Sequence, residues 1–148
     1  MATVNIIVGS VYGNAESVAE SVQTFLSSEG IEAEVFTDAD VSDITDASGV
    51  LVITSTTGQG DIPPNLEMTF DELRTQFPLL GQKPFAVAAL GDSSYGESFC
   101  GAGKQWQELL TELQGNPVAA MLEVDAMETL EPENDVVEWL KCFASKLA

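Results

Sequence analysis

Residues 50–65 read VLVITSTTGQGDIPPN. Val50 to Thr54 is apolar or β-branched throughout, the pattern of a strand covered on both faces. Ser, Thr, Gly, Asp and Pro follow, with no Lys, His or Cys among them. Gly58 and Gly60 open backbone conformations closed to other residues. Pro63-Pro64 stiffens the exit, and Asn65 is placed to cap the next helix. A buried strand that empties into a long loop rich in backbone donors is what the functional edge of an α/β sheet looks like.

Outward from that stretch the pattern alternates between strands and helices. Val4 to Val8 is a short apolar strand. Ala15, Val18, Val22, Phe25 and Leu26 recur at helical spacing, and Gly30 closes that helix. Glu32 to Phe36 alternates, as an edge strand does. Leu66, Phe70, Leu73 and Phe77 mark a helix stopped by Pro78. Phe85 to Leu90 is a second fully buried strand. Trp106, Leu109, Leu110 and Leu113 mark a helix ending near Gly115, and Val118 to Val124 a fifth strand. Val136, Leu140, Phe143, Ala144 and Leu147 mark a final helix entered through Pro132. Five strands alternating with helices predict a parallel sheet with helices on both faces, doubly wound, in one domain over residues 1–148. In such sheets ligands sit beyond the carboxyl ends of the strands.

Composition narrows the chemistry. The chain has 24 acidic and 5 basic residues and a formal charge of −19. Nucleic acid and anionic membrane surfaces are therefore excluded as partners by repulsion, while a protein with a basic face is favoured by steering. There is no histidine, which removes the commonest general base, the Ser/His and Cys/His nucleophiles and most zinc sites. Cys100 and Cys142 lack metal or CxxC spacing and are expected as free thiols. No apolar run reaches the roughly 18–20 residues of a membrane helix, and MATVNIIVGS has no basic leader region. The expectation is a cytoplasmic monomer without catalytic or metal-ligating residues.

Four loops fall on the carboxyl edge. GSVYGNAES, residues 9–17, joins a strand to a helix start, where amides and the helix dipole hold an anion without basic side chains. It is neither a P-loop nor GxGxxG. Residues 54–65 supply hydroxyls and glycines. LGDSSYGESFCGAGK, residues 90–104, sets Tyr95 and Phe99 in a Gly/Ser loop. EVDAMETLEPE places Asp125 at the end of strand five. Together they describe a slot for a mononucleotide with a flat ring, and the shortage of acid–base groups implies that the bound group carries the chemistry.

At these residues the sequence resembles the flavodoxin family over essentially its whole length, and within it the short-chain bacterial members of the MioC-like type. Ser10-Val11-Tyr12-Gly13-Asn14-Ala15 stands where the family has its Ser/Thr-x-Thr-Gly-x-Thr/Ala phosphate loop, and STTGQGD and LGDSSYGESFC resemble its two flavin-flanking loops. The resemblance implies a five-stranded sheet of order 2-1-3-4-5, one noncovalent FMN, and single-electron transfer between an NADPH-dependent flavodoxin/ferredoxin reductase and acceptor proteins. It places Ser10, Val11, Tyr12, Gly13, Asn14 and Ala15 at the phosphate. Ser55, Thr56, Thr57, Gly58 and Gln59 would border one side of the isoalloxazine, and Leu90, Gly91, Asp92, Tyr95, Phe99 and Cys100 the other, with Tyr95 stacked. Asp125 would reach the ribityl chain. The Gly58–Gln59 peptide matches one that flips in flavodoxins to accept a hydrogen bond from N5–H of the semiquinone. One such bond, worth about 1 kcal/mol, is roughly 40 mV in a one-electron couple. Asp61, Asp92 and Glu97 would oppose a second negative charge on the flavin.

Three positions depart from the family pattern. Tyr12 and Ala15 stand where hydroxyl residues are usual, and Thr57 where many relatives place an aromatic ring. The expected consequence is weaker FMN binding than in relatives with two stacked aromatics. An FMN-dependent NAD(P)H quinone or nitro reductase is the alternative, opposed by the absence of a basic patch or second nucleotide motif. A phospho-receiver lacks its acidic cluster and lysine here. A cofactor-free interaction module of the same fold is the remaining reading.

Overall fold

The computed structural model describes residues 3–9, 14–55, 62–91, 100–125 and 131–147. The elements are β1 (Thr3–Gly9), α1 (Asn14–Ser28), β2 (Glu32–Phe36), α2 (Val41–Thr45), β3 (Gly49–Thr54) and α3 (Pro64–Gln76). They continue with β4 (Pro84–Gly91), α4 (Gly101–Glu112), β5 (Asn116–Pro117), β6 (Leu122–Asp125), α5 (Pro132–Leu140) and α6 (Ala144–Leu147). All described strand pairs are parallel, in the order β2-β1-β3-β4, with β5 and β6 both pairing β4. The sheet is therefore doubly wound with lane order 2-1-3-4-5, as the sequence predicts.

The strand alternation divides the core in two. Val4, Ile6, Val8, Leu51, Ile53, Ala86 and Ala88 face α1, α5 and α6. Ile7, Val50, Val52, Phe85 and Val87 face α2, α3 and α4. Registers such as Ile6↔Leu51 and Ile7↔Val52 keep like-facing residues level across the sheet, which is why strands buried on both sides read as unbroken apolar runs.

Four details differ from the sequence expectations. The fifth lane is not one strand over residues 118–124. Phe85 pairs with Pro117, but Ala88 pairs with Leu122, so the lane carries two extra residues between its halves. An even insertion leaves the facing of side chains unchanged, and the Ala120 carbonyl in this excursion accepts the Trp139 indole N–H at 3.2 Å. The final helix is two helices separated by a turn at 141–143. Phe77 is not on the buried face of α3. It is the left-handed cap at φ 48°, donating its N–H to the Leu73 carbonyl, and is 46% exposed. The short helix α2 has no periodicity to announce it. Its local signal is a capping box in which the Asp43 carboxylate accepts the Asp40 backbone N–H at 2.8 Å.

Candidate functional site at the carboxyl edge of the sheet

The ends of β1, β3, β4 and β6 and the starts of α1, α3 and α4 lie along one edge. Several contacts hold that edge together. Ser55 donates its backbone N–H to the Gly9 carbonyl at 2.8 Å, extending the β1–β3 pairing past the last strand residue. The Thr54 side chain is fully buried, with its hydroxyl donating to the Ser55 carbonyl at 2.8 Å. A Cβ at Gly9 would come within 2.5 Å of that hydroxyl oxygen and 3.0 Å of a Leu66 methyl carbon. Gly9 thus serves a close approach between β1, β3 and α3.

Asn65 does not cap α3, which begins at Pro64 with Pro63 as its N-cap residue. From the first helical turn its amide donates to the Val8 carbonyl at 2.8 Å and to the Thr37 carbonyl at 2.7 Å. Thr69, one turn on, donates to the Ala39 carbonyl. These bonds tie the ends of β1 and β2 to α3 across separations in sequence that no local pattern reveals.

The predicted site residues are distributed as follows. Ser10, Val11, Tyr12, Gly13, Thr56, Thr57, Gly58, Gln59, Asp92, Tyr95 and Phe99 lie outside the described residues. So do Asp61 and Glu97. Asn14 opens α1, and Ala15 after it is fully buried in the core, which leaves only its backbone available to a ligand. Ser55 and Gly91 are half-buried at the ends of β3 and β4, and Asp125 is buried at the end of β6, paired in register with Gly91. The structure therefore brings α1's amino end, Ser55, Gly91, Cys100 and Asp125 to one edge.

Cys100 precedes α4 in a left-handed conformation at φ 54°. Its thiol is buried and donates to the Ala89 carbonyl at 3.5 Å. Burial, reinforced by Glu123 and Asp125 and offset in part by Lys104, pushes its pKa up to about 12. The thiolate is the reactive form, so buried Cys100 is the less reactive of the two cysteines, and Cys142 is exposed. We expect a disulfide-exchange reagent to label one of the two cysteines in the native protein and both after denaturation. Equal native rates would contradict this placement. The sign of the pH effect follows from the neutral form being favoured in the fold. Cys100's contribution to stability is complete below its unfolded pKa near 9 and is lost as pH rises toward about 12.

The edge offers an anion few counterions. Lys83 donates to the Thr45 and Ala47 carbonyls, each at 2.5 Å, at the opposite edge of the sheet. Arg74 lies 6.0 Å from the Phe70 ring centroid near the end of α3. Lys141 pairs with Glu138. Lys104 stands in α4's first turn, 3.7 Å from Glu123. Among the described residues, backbone amides at the start of α1 are donors of suitable polarity for an anion. Such amides suit a phosphate held without ion pairing, which is the anion site that residues 9–17 lead one to expect. Among the described residues there is no cluster able to hold a metal ion and no helix long and apolar enough to cross a membrane.

Comparison with known proteins agrees with this architecture. The flavodoxin family model matches residues 6–139, and the chain belongs to the flavodoxin family. It is 39% identical to flavodoxin YqcA of Escherichia coli K12 over the whole of both chains, and 33% identical to MioC of the same organism over 99% of each. Among solved structures, a cysteine-to-alanine mutant of flavodoxin from Pseudomonas aeruginosa superposes with a TM-score of 0.91 at 44% identity, covering 98% of each chain. A Fusobacterium nucleatum flavodoxin bound to flavin mononucleotide shares the fold, with a TM-score of 0.81 at 15% identity over the whole of both chains. Proteins of this family are electron-transfer flavoproteins.

Proposed function

We propose that this protein is a cytoplasmic FMN-containing electron carrier, one domain over residues 1–148, passing single electrons from an NADPH-dependent reductase to acceptor proteins. Its membership of the flavodoxin family carries the reading, and the strand ends and helix starts gathered at the carboxyl edge support it. Ser10, Val11, Tyr12, Gly13, Asn14 and Ala15 would wrap the phosphate, with Ala15 contributing only backbone. Ser55, Thr56, Thr57, Gly58 and Gln59 would line one side of the ring system. Gly91, Asp92, Tyr95, Phe99 and Cys100 would line the other.

When bound, FMN would supply the redox chemistry. The chain's own part is to hold the phosphate with neutral donors, shield the ring and set the charge around it. The chain has no histidine, the commonest general base, and Cys100 is buried. The excess of carboxylates would attract basic redox partners and make their docking sensitive to salt.

A visible absorption spectrum of the purified protein, followed by anaerobic titration with dithionite, tests the reading. Flavin bands with a transient long-wavelength band during stepwise reduction are expected. Direct passage to the fully reduced spectrum would favour the quinone or nitro reductase. No flavin uptake after incubation with FMN would overturn the assignment and leave an interaction module.

A further inference from the structure

The end of β1 is held by a side chain from α3. The β1–β2 pairing stops at Ile7↔Phe36, whereas the β1–β3 pairing runs on to Gly9↔Thr54. Val8 and Gly9 therefore project beyond β2. Successive residues of a strand turn their carbonyls to opposite neighbours. The Gly9 carbonyl faces β3 and accepts the Ser55 N–H at 2.8 Å. The Val8 carbonyl faces the other way, past the end of the β1–β2 pairing. Half-buried Asn65 closes that gap. Its amide nitrogen carries two hydrogens, and it donates to the Val8 carbonyl at 2.8 Å and to the Thr37 carbonyl at 2.7 Å. It stands in for the next bond of the β1–β2 ladder.

Two adjacent carbonyls of β1 consequently anchor both ligand-facing segments. Residues 10–13 leave β1 directly after them and end at Asn14, where α1 starts and Ala15 is fully buried. Residues 56–61 leave from Ser55, bonded to Gly9, and return through buried Ile62 and Pro63 to Asn65, bonded to Val8. The two segments do not depend equally on the amide. Without it the second keeps Ile62, Pro63 and fully buried Leu66 as apolar anchors. The Val8 carbonyl instead loses a donor where the β1–β2 pairing has already ended, and a buried acceptor left without its donor is costly enough to shift the backbone. We propose that Asn65 is a positioning residue for the ligand's phosphate: by fixing Val8 and Gly9 it aims the backbone that follows, and so makes the site select FMN over riboflavin. The inference rests on the FMN reading above and gives a role to a residue outside the binding set expected from the sequence.

Riboflavin has the ring and ribityl chain of FMN but no phosphate, so the ratio of the two affinities isolates the phosphate's share. Fluorescence titration of the flavin-free chain with each ligand tests the proposal. Asn65→Leu keeps the size of the side chain and removes both donors. It should lower FMN affinity at least about tenfold while riboflavin affinity changes less than about threefold. Thr69→Val is the control. The buried Thr69 hydroxyl ties the same helix to the Ala39 carbonyl and not to β1, so its loss should lower the thermal midpoint and leave the ratio unchanged. If Asn65→Leu does not fold, Asn65→Ser replaces it with the same expectation. Hydrogen exchange in the flavin-free chain reads the positioning without a ligand. The Ser55 amide should exchange about tenfold faster in the Asn65 variant, with the amides of Leu51 to Ile53 unchanged. Equal losses for the two ligands, an unchanged ratio, unchanged Ser55 exchange, or the same change of ratio in Thr69→Val would each overturn the proposal. A wild-type chain that takes up neither flavin would sink the FMN reading and this selectivity with it. A wild type that binds FMN, beside an Asn65 variant of unchanged ratio, sinks the positioning role alone.

Discussion

Gly49→Ala should lower the thermal midpoint by about 10 °C. Gly49 begins β3, and a Cβ there would collide with the backbone carbonyl of Leu147 in α6. No flexible side chain can move aside, so α6 must. Leu147 is fully buried in the cluster formed by β1, β3, β4, α1 and α5, and Ala144 nearly so. Overpacking costs about 1–3 kcal/mol, and partial exposure of Leu147 adds to it. A loss of about 3 kcal/mol corresponds to roughly 10 °C for a chain of this size. Gly30→Ala is the comparison. Gly30 has φ 76° but nothing within 4 Å of its added Cβ, so only backbone strain of about 1 kcal/mol applies. Calorimetry of the two variants separates collision from strain. Equal midpoints would show that α6 is not seated against Gly49.

Gly103→Ala should disturb the carboxyl edge itself. Gly103 lies in the first turn of α4, where an added Cβ would collide with the Ala89 side chain on β4 and come within 3.2 Å of its Cα. Backing α4 away from β4 would stretch the contact between the Cys100 thiol and the Ala89 carbonyl, 3.5 Å in the native protein. It would also displace the point at which α4 receives the chain after residues 92–99. The expected result is a stability loss of about 1–3 kcal/mol, faster alkylation of Cys100, and FMN affinity lowered by at least about tenfold, since a misplacement of about 1 Å is costly in a shaped site. Alkylation rates and FMN fluorescence titration are separate readouts. Adding Ala89→Gly removes the colliding methyl and should restore part of both. If the double variant is as impaired as the single one, the close approach of α4 to β4 is not the cause.

How legible all this was depends on the range of the forces concerned. Val50 to Ile53 and Phe85 to Leu90 announced themselves because a strand covered on both faces has to be apolar at every position, a property written residue by residue. Helix α1 announced itself through its buried stripe and Gly30. The fifth lane did not, because its two-residue excursion exists only as a change of pairing with β4. Asn65 has the residue type of a cap, but its carbonyl partners come from residues 8 and 37, which no local pattern reveals. Phe77 falls on the spacing of Leu66, Phe70 and Leu73, but Pro78 follows and the chain turns left-handed before another buried position is reached.

The class of this protein can be read from residue order alone. Local hydrophobic periodicity dictates alternating strands and helices, charge and the missing histidine restrict the chemistry, and the loop motifs carry the flavodoxin resemblance. Tertiary structure decided what depends on distant atoms meeting. It buried Cys100 against β4 and raised its pKa, made Gly49 and Gly103 sites of close approach, and left Met68, Phe77 and Leu79 exposed. The division has one physical reason. Burial pattern and backbone propensity are properties of neighbouring residues, whereas contact, desolvation and exposure arise only when segments far apart in the chain are packed together.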